Sequence, residues 1–116
     1  MKHEKLDYVE FAAKDLEATK AFFKQVFDWK FTDYGETYTA FDNQGLMGGF
    51  YQAALYSRSE RGSALLVFYS KDIDATMKKV KTAGGEIHRP VFDFPGGRRF
   101  HFVEPSGNEF AVWSDK

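Results

Sequence analysis

Glu10 and His101 are the two side chains in this sequence best suited to moving a proton. A carboxylate and an imidazole on one surface can act as an acid/base pair, and imidazole titrates nearest neutrality. Both sit in alternating runs. Leu6–Ala13 reads as a strand, with Val9, Phe11 and Ala13 facing one way and Leu6, Tyr8, Glu10 and Ala12 the other. Arg99–Val103 reads as another, with Phe100 and Phe102 turned to a core and Arg99, His101 and Val103 turned away. Tyr8, Tyr51 and Trp113 share those outward faces and offer apolar contact area, while Arg99 could hold a carboxylate. Structural roles stay open beside these. Glu10 could be a partly solvated carboxylate paired with Arg99, and His101 a residue of a pocket rim. Arg98-Arg99 reads first as a solvated charge pair on a hairpin. His3 lies in a tail, and His88 reads as a surface residue on an edge strand beside Pro90. Gly48-Gly49 lacks the Lys-Ser/Thr and helix of a phosphate loop and marks a close backbone approach.

The elements that carry these residues occur twice. Phe11-Ala12-Ala13-Lys14-Asp15-Leu16-Glu17-Ala18-Thr19 aligns with Phe68-Tyr69-Ser70-Lys71-Asp72-Ile73-Asp74-Ala75-Thr76. Each copy joins an apolar strand to a helix whose first turn is capped by an aspartate, Asp15 or Asp72. The first helix runs to about Phe27, with Leu16, Phe22, Phe23, Val26 and Phe27 as its apolar stripe. The second runs to about Ala83 and stops at Gly84-Gly85. Three short strands follow each helix: Lys30–Tyr34, Thr37–Asp42 and Leu46–Tyr51 in the first copy, Glu86–Val91, Arg99–Val103 and Asn108–Trp113 in the second. The fold class is therefore α+β, two βαβββ modules made by internal duplication. Module one spans 1–53, a polar linker 54–63, and module two 64–116, together one domain. The second copy carries extra residues around Phe92–Gly97.

Composition narrows the function. A chain of 116 residues with 43% hydrophobic and 28% charged residues can bury one real core. A net charge of -1 gives no electrostatic reason to expect nucleic acid or an anionic membrane. No cysteine is present, which removes thiol chemistry and disulfides. Met1–Lys5 leads straight into a strand pattern without an apolar signal region, so a cytoplasmic protein is expected. Aromatic residues reach 18%, including 13 Phe, enough to fill a core and still line a pocket.

The stretch Lys14–Trp29, with its Phe22-Phe23 pair and Asp28-Trp29 end, and the closing Glu104-Pro105-Ser106-Gly107-Asn108 resemble the vicinal oxygen chelate superfamily. That superfamily includes glyoxalase I, bleomycin- and fosfomycin-resistance proteins and extradiol dioxygenases. The resemblance covers essentially the whole chain. It implies two curved four-stranded sheets forming a cup with helices outside, and commonly a homodimer. In metal-dependent members it implies ligands on the first and last strand of each module. Those positions here are Tyr8, Gly49, Leu65 and Ala111. Gly, Ala and Leu offer no donor and neutral Tyr is a poor one, so no metal and no cofactor are expected. Three functions follow. The first is a small-molecule binder of the bleomycin-resistance kind, with Tyr8, Glu10, Tyr51, Arg99, His101 and Trp113 in the cup and its ligand unidentified. The second is a metal-independent lyase or isomerase using Glu10 and His101. The third is a protein-interaction module with a vestigial cup.

Overall fold

The computed structural model describes residues 1–116. Strand β1 (Tyr8–Ala13) leads into helix α1 (Leu16–Phe27), then β2 (Phe31–Asp33), β3 (Tyr38–Phe41) and β4 (Met47–Gln52). A linker containing a 3-10 turn at Ser59–Arg61 reaches the second set: β5 (Leu66–Tyr69), α2 (Ile73–Thr82), β6 (Glu86–Phe94), β7 (Gly97–Val103) and β8 (Glu109–Ser114). The sheets have orders β1-β4-β3-β2 and β5-β8-β7-β6, the same topology twice. In each, the first strand pairs in parallel with the last and the remaining pairs are antiparallel. The two modules expected from the repeat are thus present, and no strand pair joins one sheet to the other.

Local chemistry explains the boundaries. The Asp15 carboxylate accepts the Ala18 N–H and Asp72 accepts that of Ala75, capping both helices as expected. Asp28 ends α1 in the left-handed region at φ 58°, a conformation aspartate tolerates. Leu6 falls outside β1 because the pairing with β4 starts at Tyr8–Met47. Strand β6 runs past the expected end at Val91, since only Pro95-Gly96 separates it from β7. The extra residues of module two lengthen this hairpin: β6 has 9 residues where β2 has 3. Pro90 sits where the β6–β7 register shifts, on the edge strand, so its missing N–H breaks no ladder.

Phenylalanines bind the modules together. Phe23 on α1 packs against Phe50 of the first sheet and Phe110 of the second, at ring separations of 5.7 and 5.3 Å. Phe22 and Phe27 meet Phe102, and Phe11 meets Phe110. One buried cluster therefore draws on both sheets and both helices. Val9, Phe11, Phe100 and Phe102 belong to it or pack on it, while Tyr8 and Glu10 are exposed on the opposite face of β1. No helix is long and apolar enough to cross a membrane.

A polar clamp completes the junction. Asn108 Nδ2 donates to the Ala12 carbonyl at 2.8 Å and to Glu104 Oε2 at 2.7 Å, while its Oδ1 accepts the Ser57 N–H at 2.8 Å. Glu104 Oε1 accepts the Thr19 hydroxyl at 2.7 Å and the Ser106 N–H at 2.8 Å. Thr19, Glu104, Ser106 and Asn108 are all buried. Replacing Asn108 by Ala takes a donor from two buried acceptors, the Ala12 carbonyl and Glu104 Oε2, each costing about 1–3 kcal/mol when left unpaired, and an acceptor from the half-buried Ser57 N–H. Asn108→Ala should lower unfolding free energy by about 3 kcal/mol or more, read as a fall in the urea midpoint. A loss below about 1 kcal/mol would show that the clamp is dispensable.

Candidate functional site

Six residues were expected to share one cup; the chain holds them as two groups of three. Tyr8 and Glu10 on β1 and Tyr51 on β4 lie on the first sheet. Arg99 and His101 on β7 and Trp113 on β8 lie on the second. Glu10 has Tyr38 as its side-chain partner, and His101 has Arg99 and Glu109, so no bond links Glu10 to His101 or to Arg99.

The first face is organised by Tyr38, which the sequence reading left out. Its hydroxyl donates to Glu10 Oε2 at 2.9 Å and therefore accepts from Tyr8. Burial, with the bonds to Tyr8 and Glu10, pushes the Tyr38 phenol well above its ordinary range, which keeps it a donor. Gly49 makes this possible. A Cβ there would fall on the Tyr38 and Tyr8 hydroxyls, so the phenol fills the space of the missing side chain. The pairing of Tyr38 with Tyr51 and of Gly49 with Glu10 puts all four on one face. Alternation along β3, beside a glycine in β4, was the available signal. At Gly48 a Cβ would meet the Val9 carbonyl, the close backbone approach expected there.

The second face is organised by Glu109, also missed. It precedes Ala111 and Trp113 at the two-residue spacing that keeps one face of β8. His101 Nδ1 donates to Glu109 Oε2 at 2.7 Å, and Arg99 Nη2 donates to His101 Nε2 at 2.9 Å. This fixes a neutral imidazole protonated on Nδ1, with no lone pair left for a substrate proton. Burial holds His101 below its ordinary value; the Glu109 bond opposes this, and the Arg99 and Arg89 charges reinforce it. Burial would raise Glu109, yet the bonds from His101 and Ser59 hold it below its ordinary value. Trp113 packs edge-on against Tyr69 at 5.2 Å and near Phe94 at 6.2 Å, giving this face an aromatic wall.

The remaining candidates separate. His3 is exposed and pairs with its neighbour Glu4. Arg98 Nε donates to the Lys116 carbonyl at the surface. His88 Nε2 meets Glu60 Oε2 at 3.1 Å, and Glu60, His88 and Glu109 bring donor atoms within 4.8 Å of one another. Both Glu109 oxygens there are already taken, by Ser59 and His101. At the positions that the family resemblance marks for metal, Tyr8 is tied to Tyr38, the space beside Gly49 is filled by that phenol, and Leu65 and Ala111 are aliphatic. This set does not fit a divalent ion.

The His101–Glu109 pair sets an acid limit on stability. Both groups are lowered in the folded chain, so their contribution is complete above their unfolded values and lost as pH falls through the folded ones. Glu104, raised by burial, acts in the opposite sense, and its contribution fades as pH rises. The melting temperature should therefore fall as pH drops below the ordinary histidine value of 6.5. His101→Gln should flatten the first part of that fall while leaving the Glu104 effect in place. An identical profile for both proteins would exclude the neutral, buried imidazole.

Comparison with known proteins agrees with this architecture. The chain is similar to the fosfomycin resistance protein FosX of Listeria monocytogenes, with a TM-score of 0.80 at 18% identity over 97% of this chain and 94% of that one. It is also similar to a glyoxalase-related enzyme of Fulvimarina pelagi, with a TM-score of 0.79 at 17% identity over 96% of this chain and 88% of the other. A 47-residue stretch is 47% identical to the anthracycline biosynthesis protein DauV of Streptomyces sp. (strain C5), spanning 40% of this chain and 17% of that protein. Residues 5–112 match the family model, and the chain belongs to the Glyoxalase/Bleomycin resistance protein/Dioxygenase superfamily.

Proposed function

We propose that this chain is a cytoplasmic small-molecule binder that works as a homodimer and uses no metal at the family position. The observation that carries the reading is the state of the two outward faces. Each presents aromatic residues and a few fixed polar groups, and each is open. Tyr8, Met47 and Tyr51 on the first and Val67 and Tyr69 on the second are exposed large hydrophobics. β1 and β5 are also edge strands with one unpaired side. A second copy that sets the first face of one chain against the second face of the other would cover both and enclose a cup. Tyr8, Glu10 and Tyr51 would then meet the partner's Arg99, the partner's His101 and the partner's Trp113.

Such a cup suits a flat aromatic ligand. Tyr51, Tyr69 and Trp113 supply apolar area, Glu10 Oε1 is without a protein partner and can accept from a ligand hydroxyl or amine, and Arg99 can meet a carboxylate. The similarity to an anthracycline biosynthesis protein makes fused-ring aromatics the first class to try. Light scattering should give a dimer at micromolar concentration. In thermal-shift screening of fused-ring phenols and acids, a stabilising compound should act equally with and without chelator. Trp113→Ala should weaken its binding by about tenfold, the order of an aromatic contact of ~1.4 kcal/mol. A monomer, a chelator-sensitive melt, or undiminished binding by folded Trp113→Ala would each count against this reading.

One observation favours a lyase or isomerase as a second reading. Glu10 has one oxygen anchored by Tyr38 and one without a protein partner, the arrangement of a positioned base, whereas His101 has both nitrogens engaged. Under this reading Glu10→Gln abolishes turnover while ligand affinity changes less than about fivefold. If the site only binds, no turnover of any bound ligand is found in the wild type.

A further inference from the structure

The duplication allows every contact between modules to be compared with its twin. At the β7–β8 turn the contact is closed: Asn108 bonds the Ala12 carbonyl, and Ser106 Oγ accepts the Asp15 N–H and bonds the Thr19 hydroxyl oxygen. The twin turn of module one carries Gln44 and Leu46 in place of Ser106 and Asn108. It faces the strand end Leu66–Tyr69, the twin of the segment around Ala12. Here the contact is open. A cleft of about 340 Å³ separates Gln44, Gly45 and Leu46 from β5.

The opening is written into the side chains. Where module one has Ala13, module two has Ser70. Ser70 Oγ accepts the Asp72 N–H at 3.0 Å and bonds the Thr76 hydroxyl at 2.7 Å. Those are the two bonds that Ser106 supplies to module one from across the junction. Module two satisfies its strand–helix corner by itself, and Leu46, standing where Asn108 stands, has no side-chain donor for the Tyr69 carbonyl, the twin of that of Ala12.

The cleft floor supplies a separate observation. Trp29 lines it, with its ring stacked on Phe41 at 4.2 Å and on Phe23 at 4.5 Å. The residue is 4% exposed, and its indole Nε1 is the one buried side-chain polar atom in the chain without a hydrogen-bond partner. A buried N–H left unpaired is costly and rare. No charged residue lines the cleft, and Gln44 holds the amide at its mouth.

We propose that this inter-module cleft is a second ligand site, sharing Val67 and Tyr69 of β5 with the second outward face but floored by Trp29 and Phe41, for a small neutral aromatic molecule carrying one hydrogen-bond acceptor of the aryl ketone class. The volume lies at the small end of ligand pockets and fits one or two fused rings. The stacked aromatic floor provides the surface, and a small rotation of the indole, whose Nε1 is otherwise closed off, lets the carbonyl provide the acceptor that the Trp29 N–H lacks. This inference does not rest on the cup.

Two probes of equal shape separate the terms: 2-acetylnaphthalene, which carries the carbonyl, and 2-ethylnaphthalene, which does not. In 15N–1H correlation spectra of the full chain, 2-acetylnaphthalene should move the Trp29 indole resonance downfield while that of Trp113 stays in place. 2-Ethylnaphthalene should bind about tenfold more weakly, the ratio expected for one hydrogen bond. Trp29→Phe keeps the stack and removes the donor, so it should bring the two probes to equal affinity. Leu46→Trp, on the exposed turn, should fill the cleft and abolish binding of both, with spectral dispersion confirming the fold. An unmoved Trp29 resonance at saturating 2-acetylnaphthalene, or wild-type binding by Leu46→Trp, would overturn the site. Shifts at Trp113 alone would place the probe in the cup and overturn it equally.

Discussion

The rest of this molecule depends on the bond from Asn108 Nδ2 to the Ala12 carbonyl and on the buried carboxylate that supports it. Glu104 is forced into the junction at a desolvation cost large enough to raise its pKa. Thr19, Ser106 and Asn108 surround it with donors, so the charge is shared among hydrogen bonds instead of being left bare. The clamp joins the β7–β8 turn to the point where β1 becomes α1. It thereby sets how one module sits on the other, and Phe23 and Phe110 fill the space so defined. The apolar contact supplies most of the attraction, but it has no preferred register. The polar clamp has one.

That junction turns the useful faces outward. With α1 contacting both sheets through Phe22, Phe23 and Phe27, the Phe-bearing faces of the sheets are used up internally. The faces bearing Tyr8 and Glu10, and Arg99 and Trp113, are left outside. The consequence is chemical as well as geometric. The first face carries an acid held by a phenol, and the second a guanidinium leaning on an imidazole that leans on an acid. One arm presents an acceptor and the other a donor, a division that a ligand with both kinds of group would exploit.

Much of this was legible in the residues. The paired Asp15 and Asp72 caps, the Phe22-Phe23 stripe and the two-residue alternation of β1 and β7 all depend on local spacing, and local spacing is what a sequence displays. The partners of the site residues were less legible. Tyr38 reaches Glu10 across a strand pairing that brings β3 next to β4 and β4 next to β1, and no property of Tyr38 alone announces that reach. Glu109 was hidden because its partners, His101 on β7 and Ser59 in the linker, are remote in the chain, and an acid two residues before Ala111 carries no mark of them. The split of six candidates into two groups was hidden for a different reason. Alternation tells which side of a strand a residue occupies, but not how two sheets are turned relative to each other.

Duplication followed by divergence explains why equivalent positions now do unlike work. Ser70 stands where Ala13 stands in the first copy, and this one hydroxyl changes who satisfies the helix N-terminus. In module one the corner borrows Ser106 from the other half of the chain, which makes the junction there obligatory. In module two the corner is self-sufficient, which makes the junction optional. A buried polar group that needs a distant partner holds two elements together; one that finds a local partner lets them separate. The closed clamp and the open cleft are thus two outcomes of one constraint, that buried donors and acceptors must be paired. The Trp29 indole is where that constraint is still unmet, and it lies at the opening that Ser70 permits.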